Sequence, residues 1–154
     1  MSEETRKSAG WLIIILPTVI IGGVSILSLL IGSPAYQENP LRQDLWRAGH
    51  AHAGILLILS LVSFLYIDRT NWSKQMKRLI RSAIPASAIL LPMAFFFSVL
   101  TPDATEPNGF IYLAYVGAFS LVAGLILLGI GLIRKPAEVE VNSNQNQFKM
   151  EDSN

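Results

Sequence analysis

Four stretches of the sequence, residues 9–31, 48–67, 82–100 and 110–133, contain no Asp, Glu, Lys or Arg. Each is close to the ~20 residues that a helix needs to cross a hydrocarbon core ~30 Å thick. A backbone in lipid must satisfy its own hydrogen bonds, so runs of this kind are helices rather than open strands. The reading is an all-α integral membrane four-helix bundle. Only 15% of the residues are charged, and the charges collect between and beyond the apolar runs. The first run is longer than a signal-peptide core and no clear small-residue cleavage pattern follows it, so it is expected to be retained.

The loops set the expected orientation. Arg6 and Lys7 precede the first run. Arg69, Lys74, Lys77, Arg78 and Arg81 lie between the second and third, and Arg134, Lys135 and Lys149 follow the fourth. Every other basic residue, namely Arg42 and Arg47, falls on the opposite side, with the acidic Asp103 and Glu106. The positive-inside rule then puts both termini in the cytoplasm of a multi-pass cell-membrane protein. Trp11, Trp46 and Trp72 are read as interfacial anchors at helix ends. Residues 1–8 read as a polar tail, 9–135 as the transmembrane domain, and 136–154, rich in Asn, Gln and charge, as a disordered tail. The sequon at Asn71 falls in the expected cytoplasmic loop, so glycosylation there is not expected.

Some function classes are closed at this level. The chain has no cysteine, which removes disulfides, thiolate metal sites and cysteine nucleophiles. A formal net charge of +1 gives no footprint for nucleic acid. The expected surroundings are the lipid bilayer.

Local signals refine the helices. Asn39 followed by Pro40 is an N-cap and first-turn pair, so the second helix is expected to start before its apolar run. Pro85 and Pro92 interrupt the hydrogen bonding of the third. Gly117, Gly124 and Gly131 recur every seventh residue in the fourth, the pattern of a close helix–helix contact. Phe95, Phe96 and Phe97 are expected to face lipid and neighbouring helices; the alternative is an apolar pocket wall.

Chemistry concentrates in Trp46-Arg47-Ala48-Gly49-His50-Ala51-His52-Ala53-Gly54. Both histidines of the chain are here, at the expected outer end of the second helix. Ionisable residues inside a membrane segment are rare and default to a functional hypothesis. Neutral imidazole is a common haem or metal ligand. Two residues apart on a helix is about 200° of rotation, so His50 and His52 do not grip one metal together from one chain. The small residues around them suit a flat ring or a close neighbouring helix. Arg47, expected to face His50, is a candidate substrate-binding group together with Tyr112 and Tyr115 at similar depth and Asn108 of the 101–109 loop. The alternatives are histidines that only pack between helices in a structural or accessory subunit, and a small oligomeric transporter.

The motif from Arg47 to Gly54, with the loop Pro107-Asn108-Gly109, resembles a group of uncharacterised small bacterial four-helix membrane proteins across most of residues 40–134. More distantly the chain is similar to the hydroxylaminobenzene mutase and styrene-oxide isomerase proteins, which place a histidine after small residues early in the second helix. That resemblance implies haem b held by His50 or His52 within a homo-oligomer, with the iron acting as a Lewis acid on a small apolar substrate, assisted by Tyr112 or Tyr115. The family follows its histidine with an Asn-Gly pair, whereas Leu56 to Ile58 are aliphatic here. That departure bears on the isomerase reaction more than on haem binding.

Overall fold

The structure, a computed structural model, describes residues 1–134. The tail 136–154, expected to be disordered, lies outside the described residues. The elements are α1 (Glu3–Ile15), α2 (Pro17–Gly32), α3 (Pro34–Gln37), α4 (Pro40–Ile67), α5 (Lys74–Ser98), a 3-10 turn (Gly109–Tyr112) and α6 (Leu113–Ile133). No strand occurs among the described residues.

Four helical segments are long and apolar enough to cross a membrane: Glu3–Gly32, Pro40–Ile67, Lys74–Ser98 and Gly109–Ile133. Even the shorter ones, of 25 residues, measure about 38 Å at about 1.5 Å per residue. The first joins α1 to α2 through Leu16, which keeps a right-handed helical backbone. Pro17 brings no N–H to the ladder there. Beside it the Thr18 hydroxyl donates to the Ile15 carbonyl at 2.7 Å, and the Leu16 N–H still reaches Leu12 at 2.9 Å.

Caps extend the helices past the apolar windows. Ser2 caps α1, its Oγ accepting from the Thr5 N–H at 3.3 Å, so the polar stretch at the start is helical from Glu3 on. Asn39 caps α4 by accepting from the Arg42 N–H at 3.0 Å, with Pro40 in the first turn, as the Asn-Pro pair predicts. Ser73 caps α5, so Lys74, Lys77, Arg78 and Arg81 occupy its first turns rather than a loop. A helix needs backbone partners and a cap, not apolar side chains, so hydropathy alone places its ends too far in.

Helix α5 packs along both α4 and α6, α4 and α6 touch more sparsely, and the first span lies on the outside of α4. The core is drawn from Leu56, Leu57, Phe64 and Ile67 of α4 and from Ile80, Ile84, Ala88 and Leu91 of α5, with Leu128 of α6 and Leu12 of α1. Hydroxyls buried in it turn back on their own helix: Ser60 donates to Leu56, Ser63 to Leu59 and Ser87 to Ile84, at 2.6–2.8 Å. No residue of α2 is buried.

The three glycines of α6 face α5 and its leading turn. A methyl on Gly117 would lie 3.0 Å from Leu91 Cγ, and one on Gly124 would lie 2.7 Å from Ile84 Cγ1. Gly131 meets the indole of Trp72. That indole donates to the Leu127 carbonyl at 2.7 Å, and the Arg134 guanidinium lies 4.4 Å from its ring centroid. Trp72 is thus held between helices, whereas Trp11 lies within α1 and is 66% exposed. Ser120 donates to the Ala83 carbonyl at 2.8 Å and adds a polar stitch to the α5–α6 contact.

At the end that carries residues 68–73, here called the turn end, α1 is tied down by charge. Arg81, whose side chain is 10% exposed, pairs with Glu4 at 2.6 Å. The Ser2 N–H and the Thr5 hydroxyl both donate to the Asp68 carboxylate. Burial pushes the Asp68 carboxyl up, but these donors hold it below the ordinary aspartate value.

Two predictions follow from these contacts. Gly124→Ala lowers unfolding stability in detergent micelles by about 1–3 kcal/mol through overpacking. Gly129→Ala, which meets nothing within 4 Å, leaves it unchanged or slightly raised. Because the Asp68 pKa is depressed on folding, its stabilisation is present above the unfolded value of about 3.9 and is lost as pH falls through the folded one. Stability curves against pH for the wild type and Asp68→Asn should therefore converge in acid and separate near neutrality. Parallel curves would show that the carboxylate does not secure α1.

Candidate functional site

The opposite end, which carries the 101–109 loop, is built around the first three turns of α4. Asn39 both caps the helix and clamps the loop, its amide donating to the Pro102 and Ala104 carbonyls at 3.0 and 2.9 Å. Arg42 follows one turn on, 8% exposed, and donates to the Leu100 carbonyl at 3.1 Å. Its guanidinium lies 4.3 Å from the ring centroid of Trp46, a cation–π contact. The Trp46 indole donates to the Phe96 carbonyl at 3.2 Å. Tyr36 of α3, 1% exposed, packs on the same indole with ring centroids 5.8 Å apart. Gln43 closes the short α3 by donating to the Tyr36 and Gln37 carbonyls. Burial pushes the Tyr36 phenol above its ordinary value, against the pull of the Arg47 and Arg42 charges.

The two histidines leave α4 on different sides. His50 seats on the first span: a methyl on Gly23 would lie 3.0 Å from its Cε1 and 3.1 Å from its Nε2, and one on Gly22 would lie 3.7 Å from Nδ1. His52 lies against α5, its ring centroid 5.2 Å from that of Phe95. Its Nδ1 donates to the Ala48 carbonyl, one turn back, at 2.7 Å. A carbonyl only accepts, so Nδ1 is the donor in this contact, and the lone pair of a neutral ring would then be on Nε2. The separation follows from helix geometry and was expected. The partners were not legible, because Gly22 and Gly23 carry no signal linking them to α4.

The two glycines that flank the histidines are met by neighbouring helices, whereas Ala51 is exposed. A methyl on Gly49 would lie 3.1 Å from the Phe96 ring and 3.3 Å from Phe95 Cβ, and one on Gly54 would lie 3.4 Å from Val19. The aromatic run is divided accordingly. Phe95 meets His52, Phe96 meets Gly49 and Trp46, and Phe97 packs edge-on against Phe110.

The other candidate residues are not gathered around the imidazoles. Arg47 turns back to Gln43, with Nε 3.1 Å from its carbonyl and Nη2 2.9 Å from its Oε1, and lies 3.5 Å from Asp44. On a helix surface this local pairing satisfies a guanidinium that would otherwise have to enter an apolar interface to reach His50. Tyr112 and Tyr115 stack on each other at 6.3 Å and are 68% and 72% exposed. Asn108 holds the start of the 3-10 turn: its Oδ1 accepts from the Phe110 N–H at 2.9 Å, and its amide donates to Phe97 at 2.9 Å. Asn108 and Tyr112 line an open groove of about 570 Å³ on α6 that includes neither histidine. Sequence reasoning missed Tyr36 and the buried Arg42. The Arg42–Trp46 spacing of one helical turn was the available signal.

Gly23→Leu should displace His50 and lift α2 from α4. A cysteine pair placed across Val19 and Gly54 should then lose its oxidative cross-link, while a pair across Ala83 and Ser120 keeps its own. Retention of both would show that α2 does not depend on the His50 seat. Compared with models of protein families, with curated proteins and with solved structures, the chain matches none.

Proposed function

We propose that this chain is a multi-pass protein of the cell membrane, with both termini cytoplasmic, that holds haem b or another metal complex through His52. The observation that carries the reading is the hydrogen bond from His52 Nδ1 to the Ala48 carbonyl. A second partner of this kind fixes the tautomer and orientation of a ligating imidazole and raises its basicity. His50, seated on Gly23, is the less suited of the two. His52 would be the residue that holds the group; among the described residues no three His, Cys, Asp or Glu side chains gather. A homo-oligomer would supply further ligands from other copies. Bound there, the iron would provide a Lewis acid. An isomerase-like reaction on a small apolar molecule is what the motif resemblance adds to this reading.

A second reading has its own support. Gly22, Gly23, Gly49 and Gly54 all accept side chains of neighbouring helices. Those contacts favour a non-enzymatic structural or accessory subunit in which the imidazoles serve packing.

The visible spectrum separates the two. Protein expressed with ample haem and purified in mild detergent should show a Soret band that His52→Ala abolishes and His50→Ala retains. A colourless wild type that folds and assembles normally would overturn the haem reading. For orientation, a single cysteine at Lys77 should resist an impermeant thiol reagent applied to intact cells, and labelling from outside would invert the topology.

A further inference from the structure

At the turn end positive charge outruns its counter-charge. Among the described residues the carboxylates there are Glu3, Glu4 and Asp68, and each is already engaged. Lys7 pairs with Glu3 at 2.7 Å, and the donors of Ser2 and Thr5 hold Asp68. Arg81 pairs with Glu4 at 2.6 Å. Arg78 comes only within 4.0 Å of that same carboxylate, and its side chain is 77% exposed. Lys74, one turn before Arg78, is exposed as well. At ~100° per residue, Lys74, Arg78 and Arg81 stand within about 60° of one another around α5. Three cations therefore crowd one face of the helix with one carboxylate between them. They also occupy its first turns, where the helix macrodipole disfavours positive charge. Lys77 is placed differently, its Nζ donating to the Asp68 carbonyl at 3.3 Å.

The same face turns apolar farther along. Ser82, one turn after Arg78, is exposed, and its hydroxyl donates back to the Arg78 and Leu79 carbonyls. Ala86 follows half-buried, and Ile89 is 58% exposed. No carboxylate occurs anywhere on α5. From Arg78 to Ile89 the track runs about 16 Å at about 1.5 Å per residue, roughly half the ~30 Å hydrocarbon core. A cationic head, a small-residue step and an apolar track, in that order along one helix face, have the proportions of one phospholipid in one leaflet.

We propose that this face of α5 holds an anionic phospholipid, with its phosphate at Arg78 and Lys74 and an acyl chain along Ala86 and Ile89. The guanidinium supplies charge-assisted hydrogen bonds to the phosphate oxygens, and Lys74 adds a second charge. Glu4 neutralises one of the three cations, so a singly charged headgroup is matched without excess. A zwitterionic lipid brings a cation of its own into a field already positive, and is disfavoured. The proposal rests on the membrane-spanning reading and not on haem, since it uses neither histidine.

The full-length protein in a neutral glycoside detergent is titrated with phosphatidylglycerol and, separately, with phosphatidylcholine of the same acyl chains. Native mass spectrometry counts retained lipid, and thermal unfolding is followed in parallel. The expected result is tighter retention of phosphatidylglycerol and a larger rise in Tm. Lys74→Gln and Arg78→Gln should each weaken its binding about fivefold, and the double variant more than about tenfold. Arg69→Gln, whose guanidinium lies 5.8 Å from the Tyr66 ring centroid at the end of α4, should bind as the wild type does. If the double variant does not fold, the single ones, at exposed positions, carry the test. Equal retention of the two lipids would overturn the site. Equal losses in Arg69→Gln and Arg78→Gln would also overturn it, by showing a diffuse charge effect only. Carbonate-resistant flotation with phosphatidylcholine vesicles tests the membrane reading by itself. A protein that floats but shows no lipid preference sinks the site alone, and one that does not float sinks both.

Discussion

Close approach through side-chain-free backbone is the constraint on which the rest of this molecule depends. Gly117, Gly124 and Gly131 let α6 settle onto α5 and its leading turn, with no room for a methyl at Gly124 against Ile84. Gly49 does the same for α4 against Phe95 and Phe96, and Gly23 receives His50. Helices this apolar would, in lipid, have no hydrophobic drive to associate, and contact area and a few polar stitches would have to do it. Ser120 to Ala83 and Trp72 to Leu127 are such stitches. The pair of interfaces made by α5 is the consequence, and the loosely held first span is its counterpart.

The polar chemistry divides between the two ends. At the turn end it is electrostatic and partly exposed: Glu4 with Arg81, and Asp68 with the donors of Ser2 and Thr5. At the loop end it is aromatic and buried, with Arg42 and Tyr36 both against Trp46 and Asn39 clamping the 101–109 loop. The histidines lie just beyond this cluster along α4, one directed to the first span and one to α5. The residues that share a stretch of sequence therefore do not share a pocket. A reaction that needed Arg47, a tyrosine and an imidazole together would have to assemble them from more than one copy of the chain.

Much was legible from composition and pattern. Four long uncharged runs read as four helices, because a helix alone satisfies its backbone within one segment, and four helices long and apolar enough to cross a membrane are what the fold has. The Asn39–Pro40 start of α4 follows from local cap chemistry, the opposite sides taken by His50 and His52 from the helical repeat, and the packing face of α6 from its sevenfold glycine spacing. These are properties of neighbouring residues, and the sequence by itself determined them. What tertiary structure alone decided is which partner each of those groups meets. Gly22 and Gly23 receive His50, Arg42 is buried against Trp46 while Arg47 turns back to Gln43, and Asn108 caps the 3-10 turn. The physical reason is that burial and pairing depend on the lateral order and depth of helices far apart in the chain, and no local propensity encodes that order.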